Sequence, residues 1–588
     1  MPRLAALSLA LLLALPAAKA ATPLETVSEQ SGFLQTGRYP EVVALCDAFA
    51  RAHPRQVRCF DFGTTPEGRP MKAMAVSSAG ALTPEAARRR GLPVVLVQAG
   101  IHAGEIDGKD AGFWLLRELL AGSRAPGVLD RQVMLFVPVF NVDGHENFRA
   151  WNRPNQRGPE QMGFRVTAQR YNLNRDFVKA DSPEMQAMLR LVGDWDPLVE
   201  IDLHATDGAQ FEHDISITAE PVNSGDEELR RVGRALRDGI IERLRAGGSD
   251  PLDFYPSFVE YDDPASGFSE NVPTARFSHG YHVLRNRIGI LVETHSWRTY
   301  PERVRATRDT VQHLLELVAE NGAEWQAVAT RADQRASHLA GQSVPLSWKV
   351  LDTPRMIEFK GYAYTRTPSD ISGALMTRYD ESTPQTWRVP LRNEVAPAIT
   401  ATAPGAGYLV PAAWAATVVP LLERHGIAHR RIDTARPALD VETWRAGSAR
   451  FAGGSVEGRQ RLTLEGTWSP TRMALAAGSI FVPIAQPKAR LIMQLLEPEA
   501  PDSIAAWGGM NNAFEQKEYM EDYVAEAQAR EMLARDPALK AEFERRLRED
   551  AQFAASPRAR LQFFYQRHAA WDGDFNRYPV LRLQRMPD

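Results

Sequence analysis

Cysteine is nearly missing from this chain, with two in 588 residues, Cys46 and Cys59. Two thiols leave room for one bridge at most, and neither sits in a histidine or acid pattern that would mark a catalytic nucleophile. An excess of one charge is also lacking, because 69 lysines and arginines stand against 73 aspartates and glutamates, a formal charge of -4. That balance gives no electrostatic footprint for nucleic acid, and Arg88-Arg89-Arg90 reads as a solvated face. After the first residues, no apolar stretch is long enough and free enough of charge to span a bilayer. Internal repeats and low-complexity linkers are missing too, so an array or a tethered pair of modules is not expected.

The first residues do carry an apolar run. Met1-Pro2-Arg3, then Leu4 to Leu15, then Pro16 and Ala18-Lys19-Ala20 give a basic start, a hydrophobic core and a small-x-small cleavage site. This predicts a secretory signal peptide cut before Ala21 and a periplasmic or secreted protein. In that setting Cys46 and Cys59 are expected to form a disulfide, against the alternative of two separate buried thiols. The length exceeds what one hydrophobic core organises, so the expected division is a signal at 1–20, a catalytic domain at 21–340 and an accessory region of mixed strands and helices at 341–588.

Hydrophobic patterning then predicts the architecture. Helical spacing covers Val27 to Leu34 and Tyr39 to Arg51, and Val57 to Gly63 with Met71 to Val76 reads as a hairpin around Thr65-Pro66-Glu67-Gly68-Arg69-Pro70. Four unbroken apolar runs follow, at Val94 to Gln98, Gln132 to Pro138, Leu198 to Leu203 and Ile288 to Val292. Such runs belong to strands covered on both faces, which argues for an α/β fold with a parallel or mixed sheet. Ile106 to Leu120 and Pro183 to Val192 supply intervening helices, and a longer one from Tyr300 to Arg335 has Gly322 as a candidate break. The stretches 148–177, 208–223 and 252–281 read as long loops, of the kind that serve function inside compact domains. Beyond Val344 the alternation of Thr, Tyr, Trp and apolar residues predicts an antiparallel accessory part, with helices at 412–425 and 514–548, the latter divided at Asp536-Pro537.

Each of the four strands ends in polar residues: His102 and Glu105, Asn141-Val142-Asp143, His204, and Glu293-Thr294-His295. Carboxyl ends of strands are where open α/β sheets place their active sites. His102, Glu105 and His204 offer the three protein ligands that a catalytic Zn²⁺ requires, with one position left open. Glu293 is the candidate general base beside it, or alternatively a partner of a zinc histidine. Asn174 and Arg175 pair an amide with a bidentate guanidinium and suit a terminal carboxylate. Arg153 is the candidate for stabilising a developing oxyanion, with Arg157 and Arg165 in the same loop. His145-Glu146 lacks the second histidine of the helical metalloprotease motif. The pairs His425/His429 and His279/His282 lack a suitable acid.

These landmarks, in this order, resemble the zinc carboxypeptidases of the carboxypeptidase A type, the M14 metallopeptidases, over Gly63 to Arg303. The resemblance rests on Thr65-Pro66-Glu67-Gly68-Arg69, His102-x-x-Glu105, Pro138-Val139-Phe140-Asn141-Val142-Asp143-Gly144, Leu173-Asn174-Arg175-Asp176, His204 and Leu291-Val292-Glu293-Thr294. It implies an α/β/α sandwich around a mixed, mostly parallel eight-stranded sheet and one zinc ion on His102, Glu105 and His204. It further implies Glu293 as base and acid, Asn174 and Arg175 on the substrate's C-terminal carboxylate, and a loop arginine such as Arg153 on the carbonyl. For the tyrosine that caps substrate in that family, Tyr281 is the candidate, with Tyr261 behind it. The segments Pro483-Ile484-Ala485-Gln486-Pro487 and Leu495-Leu496-Glu497-Pro498-Glu499 resemble the extensions of large bacterial M14-like proteins.

The expected function is therefore zinc-dependent removal of C-terminal residues from peptides with a free carboxylate. The same chemistry would serve a deacylase, an amidase or a cell-wall peptide hydrolase, and a third alternative is noncatalytic peptide or carbohydrate binding on a peptidase scaffold.

Overall fold

Unbroken runs of β-branched and other apolar residues form the centre of the molecule, described over residues 24–206 and 208–585 in a computed structural model. The signal segment expected at 1–20 lies outside the described residues. Val57–Thr64 (β1), Pro70–Val76 (β2), Val94–Ala99 (β3), Val133–Val137 (β4), Val199–Thr206 (β5), Ile215–Glu220 (β6) and Pro251–Leu252 (β7) belong to one sheet. Phe268–Ser269 (β8) belongs to another, and Ile288–His295 (β9) completes an eight-stranded order β1-β2-β4-β3-β5-β9-β6-β7. β3 pairs in parallel with β4 and β5, and β5 with β9. β1 with β2, β2 with β4, and β6 with β9 are antiparallel.

Every residue of β3, β4, β5, β6 and β9 is buried, as strands covered on both faces must be. The covers are helices, and neighbouring residues of β5 show that they lie on opposite sides. Leu203 packs so closely on helix Asp107–Leu120 that a Cβ at Gly108 would stand 2.8 Å from the Cβ of Leu203. Asp202, the preceding residue, accepts a 2.7 Å hydrogen bond from Ser278 at the start of helix Ser278–Leu284. Successive strand side chains point to opposite faces, so the fold is an α/β/α sandwich.

Cys46 and Cys59 form a disulfide that ties helix Tyr39–Ala52 to β1. Helix Tyr300–Ala336 runs through Gly322 unbroken. A Cβ there would stand 2.9 Å from Pro93, so this glycine permits close packing where the sequence suggested a break. The loop read at 208–223 contains β6, a second correction. Ile215, Ile217 and Ala219 alternate with Ser216, Thr218 and Glu220, of which Thr218 and Glu220 face a cavity and Ser216 donates to the Phe254 carbonyl at 2.6 Å.

The remainder is β-rich, in Ser343–Val350 (β10), Arg355–Pro368 (β11), Leu375–Arg392 (β12), Val395–Thr402 (β13), Gly407–Val410 (β14), Arg430–Arg431 (β15), Arg436–Val456 (β16), Arg459–Leu475 (β17), Ile480–Pro483 (β18) and Leu581–Leu583 (β19). β10 pairs with β13, β11 with β12, and β12 also takes β8 in parallel. The rest form the order β15-β18-β14-β19-β16-β17. Asp536 ends helix Asp522–Arg535 and caps helix Pro537–Glu549 through its side chain. Apolar packing continues from the large sheet into this region, since Val344, Tyr408, Leu491 and Val580 share one buried cluster with Val97 and Ile201.

Candidate active site

Three chain segments meet at the carboxyl ends of β3, β5 and β9. β3 stops at Ala99 and the chain turns through His102 to Glu105 before helix Asp107–Leu120 begins. β5 delivers His204, and the parallel register sets Glu293 of β9 directly opposite it. The loop at 148–165 closes over the turn so tightly that a Cβ on Gly104 would stand 2.6 Å from Arg153 and 2.8 Å from the Gly163 carbonyl.

The carboxylate of Glu105 stands between the two imidazoles, with Oε1 3.0 Å from His102 Nδ1 and Oε2 2.8 Å from His204 Nδ1. One ligand atom from each of the three residues lies within 4.8 Å of the others, and all three are buried. The far side of each ring decides its tautomer. Asn172 Oδ1 accepts from the backbone N–H of Asn174 at 3.1 Å, which fixes it as the amide oxygen, and it lies 3.0 Å from His102 Nε2. His102 Nε2 therefore carries the proton and Nδ1 presents a lone pair. Asp202 Oδ2, already accepting from Ser278, lies 2.9 Å from His204 Nε2 and fixes that ring the same way. Two bare imidazole nitrogens and a carboxylate, each steadied from behind, form a donor set that fits zinc.

Electrostatics reinforce the arrangement. Burial works against the charge on Glu105, but Arg153 and the two histidines hold its carboxyl well below the usual range. Arg153 donates to Glu105 Oε1 at 2.7 Å and to the Ala205 carbonyl at 2.8 Å, and Arg165 reaches the same Oε1 at 3.3 Å. Burial lowers His102 to about 4. Burial opposes the charged form of His204 as well, yet Asp202 and Glu105 raise it well above its ordinary value, so a cation binding at Nδ1 would take the place of a proton there.

A cavity of about 560 Å³ opens beside these groups, lined by His102, Arg165, Asn174, Arg175 and Glu293 at one end. Glu293 is 8% exposed and makes no hydrogen bond among the described residues, and burial pushes its carboxyl up to about 8. Arg175 stacks over Phe277 at 4.4 Å, donates to the Asn174 carbonyl at 2.7 Å and has no carboxylate partner among the described residues. Asn174 accepts from the Ser278 N–H at 3.3 Å through Oδ1. An anion entering here would meet a guanidinium already held flat against a ring.

Two expected residues do not reach the cavity. Arg153 is engaged with Glu105 and Ala205, whereas Arg165 of the same loop lines the cavity. Tyr281 is 1% exposed and its hydroxyl lies 2.9 Å from His425 Nδ1, inside the packing between helix Ser278–Leu284 and the accessory region. The tyrosine at the cavity is Tyr255, and Tyr261 is 98% exposed elsewhere. Of the discounted histidines, His279 lines the cavity and His145 is buried against the Gly37 carbonyl. Asn172 and Asp202 were not singled out from the sequence. Asp202 had a signal, since it precedes His204 by two on a strand and must share its face.

The family model described as zinc carboxypeptidase, Peptidase M14, matches residues 42–249. A curated zinc carboxypeptidase from Simulium vittatum is 27% identical over 129 residues, 21% of this chain and 39% of that protein. The chain thus spans about two fifths of the length of this relative. Among solved structures, carboxypeptidase A from Helicoverpa armigera is 15% identical, with 50% of this chain and 75% of that one covered and a TM-score of 0.36. A metallo-carboxypeptidase from Burkholderia cenocepacia is 17% identical, covering 47% of this chain and 69% of its own, with a TM-score of 0.34. The matched segment contains His102, Glu105, Asn174, Arg175 and His204 and ends before Glu293.

Proposed function

We propose, on the premise that residues 42–249 belong to the zinc carboxypeptidase family, that the chain is an exported zinc carboxypeptidase that releases C-terminal residues from peptides. The observation that carries this reading is one cavity lined by His102 of a buried His-Glu-His donor set, by the carboxylate of Glu293 and by Arg175, the last two without a hydrogen-bonding acid or base partner among the described residues. His102, Glu105 and His204 would hold the metal. Zinc bound there would supply Lewis acidity toward water and the scissile carbonyl.

The other steps belong to the protein. Arg175 and Asn174 take the terminal carboxylate and set the last peptide bond beside Glu293. The carboxylate of Glu293 removes a proton from the attacking water and returns one to the leaving amine, a shuttle suited to a group whose proton affinity is raised by burial. Arg165, which lines the cavity and touches Glu105 only at 3.3 Å, takes the role of stabilising the carbonyl oxygen, while Arg153 keeps Glu105 ionised and oriented. The apolar run at 4–15 and the Cys46–Cys59 bridge support export to a periplasm or the exterior. Among the described residues no helix is long and apolar enough to cross a membrane.

The test compares one peptide as free acid and as C-terminal amide, with products read by mass spectrometry. The carboxylate grip predicts loss of single residues from the free acid and at least tenfold slower release from the amide. Equal cleavage of both would favour the amidase or deacylase alternative. Absence of bound zinc, with no hydrolysis after zinc is added, would favour a noncatalytic binding protein.

A further inference from the structure

The end of the cavity away from Arg175 has a different chemistry. Its wall follows from strand register. β6 runs antiparallel to β9 with Ser216 opposite Glu293, Thr218 opposite Leu291 and Glu220 opposite Gly289. Residues two apart share a face, so Thr218, Glu220 and Leu291 continue the surface that Glu293 begins. The four-residue step from Glu293 to Gly289 spans about 13 Å at the rise of a strand, enough for a long side chain. Asp253, just after β7, and Glu270, just after β8, complete this end with Glu220 and Arg237.

Three carboxylates thus face one guanidinium, and the guanidinium is already paired with Asp238 at 2.8 Å. Glu220 is 3% exposed and spends Oε2 on the N–H groups of Val222, Asn223 and Ser224. Glu270 accepts one bond, from the Tyr255 N–H at 3.0 Å. Asp253 has no hydrogen-bond or ion-pair partner among the described residues. These acids are not an isolated surface cluster. They close a cavity whose other end holds Glu293, a side chain that is itself 8% exposed and makes no hydrogen bond among the described residues.

We propose that this cavity selects a C-terminal residue with a cationic side chain, an ammonium or guanidinium, and that Asp253 and Glu270 are its specificity-determining residues. The inference rests on the carboxypeptidase reading and deepens it. With the substrate carboxylate on Arg175, the side chain points past Leu291 and Thr218 toward the acids. An apolar side chain there would strip water from carboxylates and return no hydrogen bond. An acidic side chain would meet like charge. Burial, with Asp253 adding to it, pushes the carboxyl of Glu270 up to about 8, so an arriving cation would displace a proton that the empty cavity retains.

The experiment uses the full zinc-loaded chain and four peptides that differ only in a last residue of Lys, Arg, Leu or Glu. Lys or Arg is expected to exceed Leu at least tenfold in kcat/KM, with Glu the poorest. Asp253→Asn and Glu270→Gln should each shrink the Lys-to-Leu ratio at least fivefold, mainly through KM, and Asp253→Glu should restore most of it. A preference for Leu or Glu, or a ratio untouched by both substitutions, would overturn the proposal. If no peptide is cut, the exopeptidase reading falls by itself and calorimetry decides the pocket. Nα-acetyl-lysine binding at least fivefold tighter than Nα-acetyl-leucine upholds the proposal, and equal or reversed affinity overturns it.

Discussion

Asp202 and His204 lie two residues apart on β5, and their side chains meet with Oδ2 2.9 Å from Nε2. The strand period puts both on the sheet face that Glu293 shares, so the metal-ligand candidate and the group that sets its tautomer are fixed by one backbone segment. Asp202→Asn should keep the fold and lower zinc affinity about 10- to 100-fold. Competition with a chromophoric chelator reads this directly, and unchanged affinity would remove Asp202 from that role.

The longest hairpin of the accessory region reaches the same neighbourhood. At its tip Glu457 accepts from the Asn172 N–H at 3.4 Å, and Arg459 at the start of β17 pairs with Asp181. Asn172 steadies His102, so the hairpin braces the metal site from a distance. Arg459→Ala should cost about 1 kcal/mol, since the pair is partly exposed, and should raise amide exchange across 172–181. Hydrogen exchange followed by mass spectrometry tests this, with protection equal to the wild type as the contrary result.

A pH effect follows from Glu270. Its carboxyl lies at about 8 in the folded chain, chiefly through burial, against an ordinary value near 4.5. The folded state therefore binds more protons between those values, and stability must fall as pH rises from about 5 through 8. Glu270→Gln should flatten that fall by up to about 3 kcal/mol, measured as denaturation midpoints at pH 5 and 8. An identical pH slope in the variant would exclude Glu270 as the source.

The Cys46–Cys59 bridge closes a short loop between helix Tyr39–Ala52 and β1. Replacing both with serine should lower unfolding stability by about 3 kcal/mol and leave the distant cavity intact. Loss of zinc binding with unchanged stability would contradict this separation of roles.

The central strands were legible because both faces are buried, which leaves an unbroken apolar run in the sequence. β6 was not, because Thr218 and Glu220 line a cavity and the run reads like a loop. The turn at His102 and Glu105 and the ends of β5 and β9 stood out as polar stops after apolar runs. Asn172 could not be recognised as a partner of His102, since the contact depends on how the loop at 148–177 closes. The approach of Glu457 to Asn172 joins residues 285 apart and leaves no local trace. Tyr281 had the residue type for a substrate cap, but helix Ser278–Leu284 turns it toward His425, where the accessory region covers it.

The most direct test is Glu293→Gln, with bound zinc and turnover of a free-acid peptide measured on the same preparation. Glu293 is expected to move a proton without holding the metal, so the variant should retain one zinc per chain and lose about 100-fold or more in kcat. Near-normal turnover, or loss of the zinc along with the activity, would contradict that role.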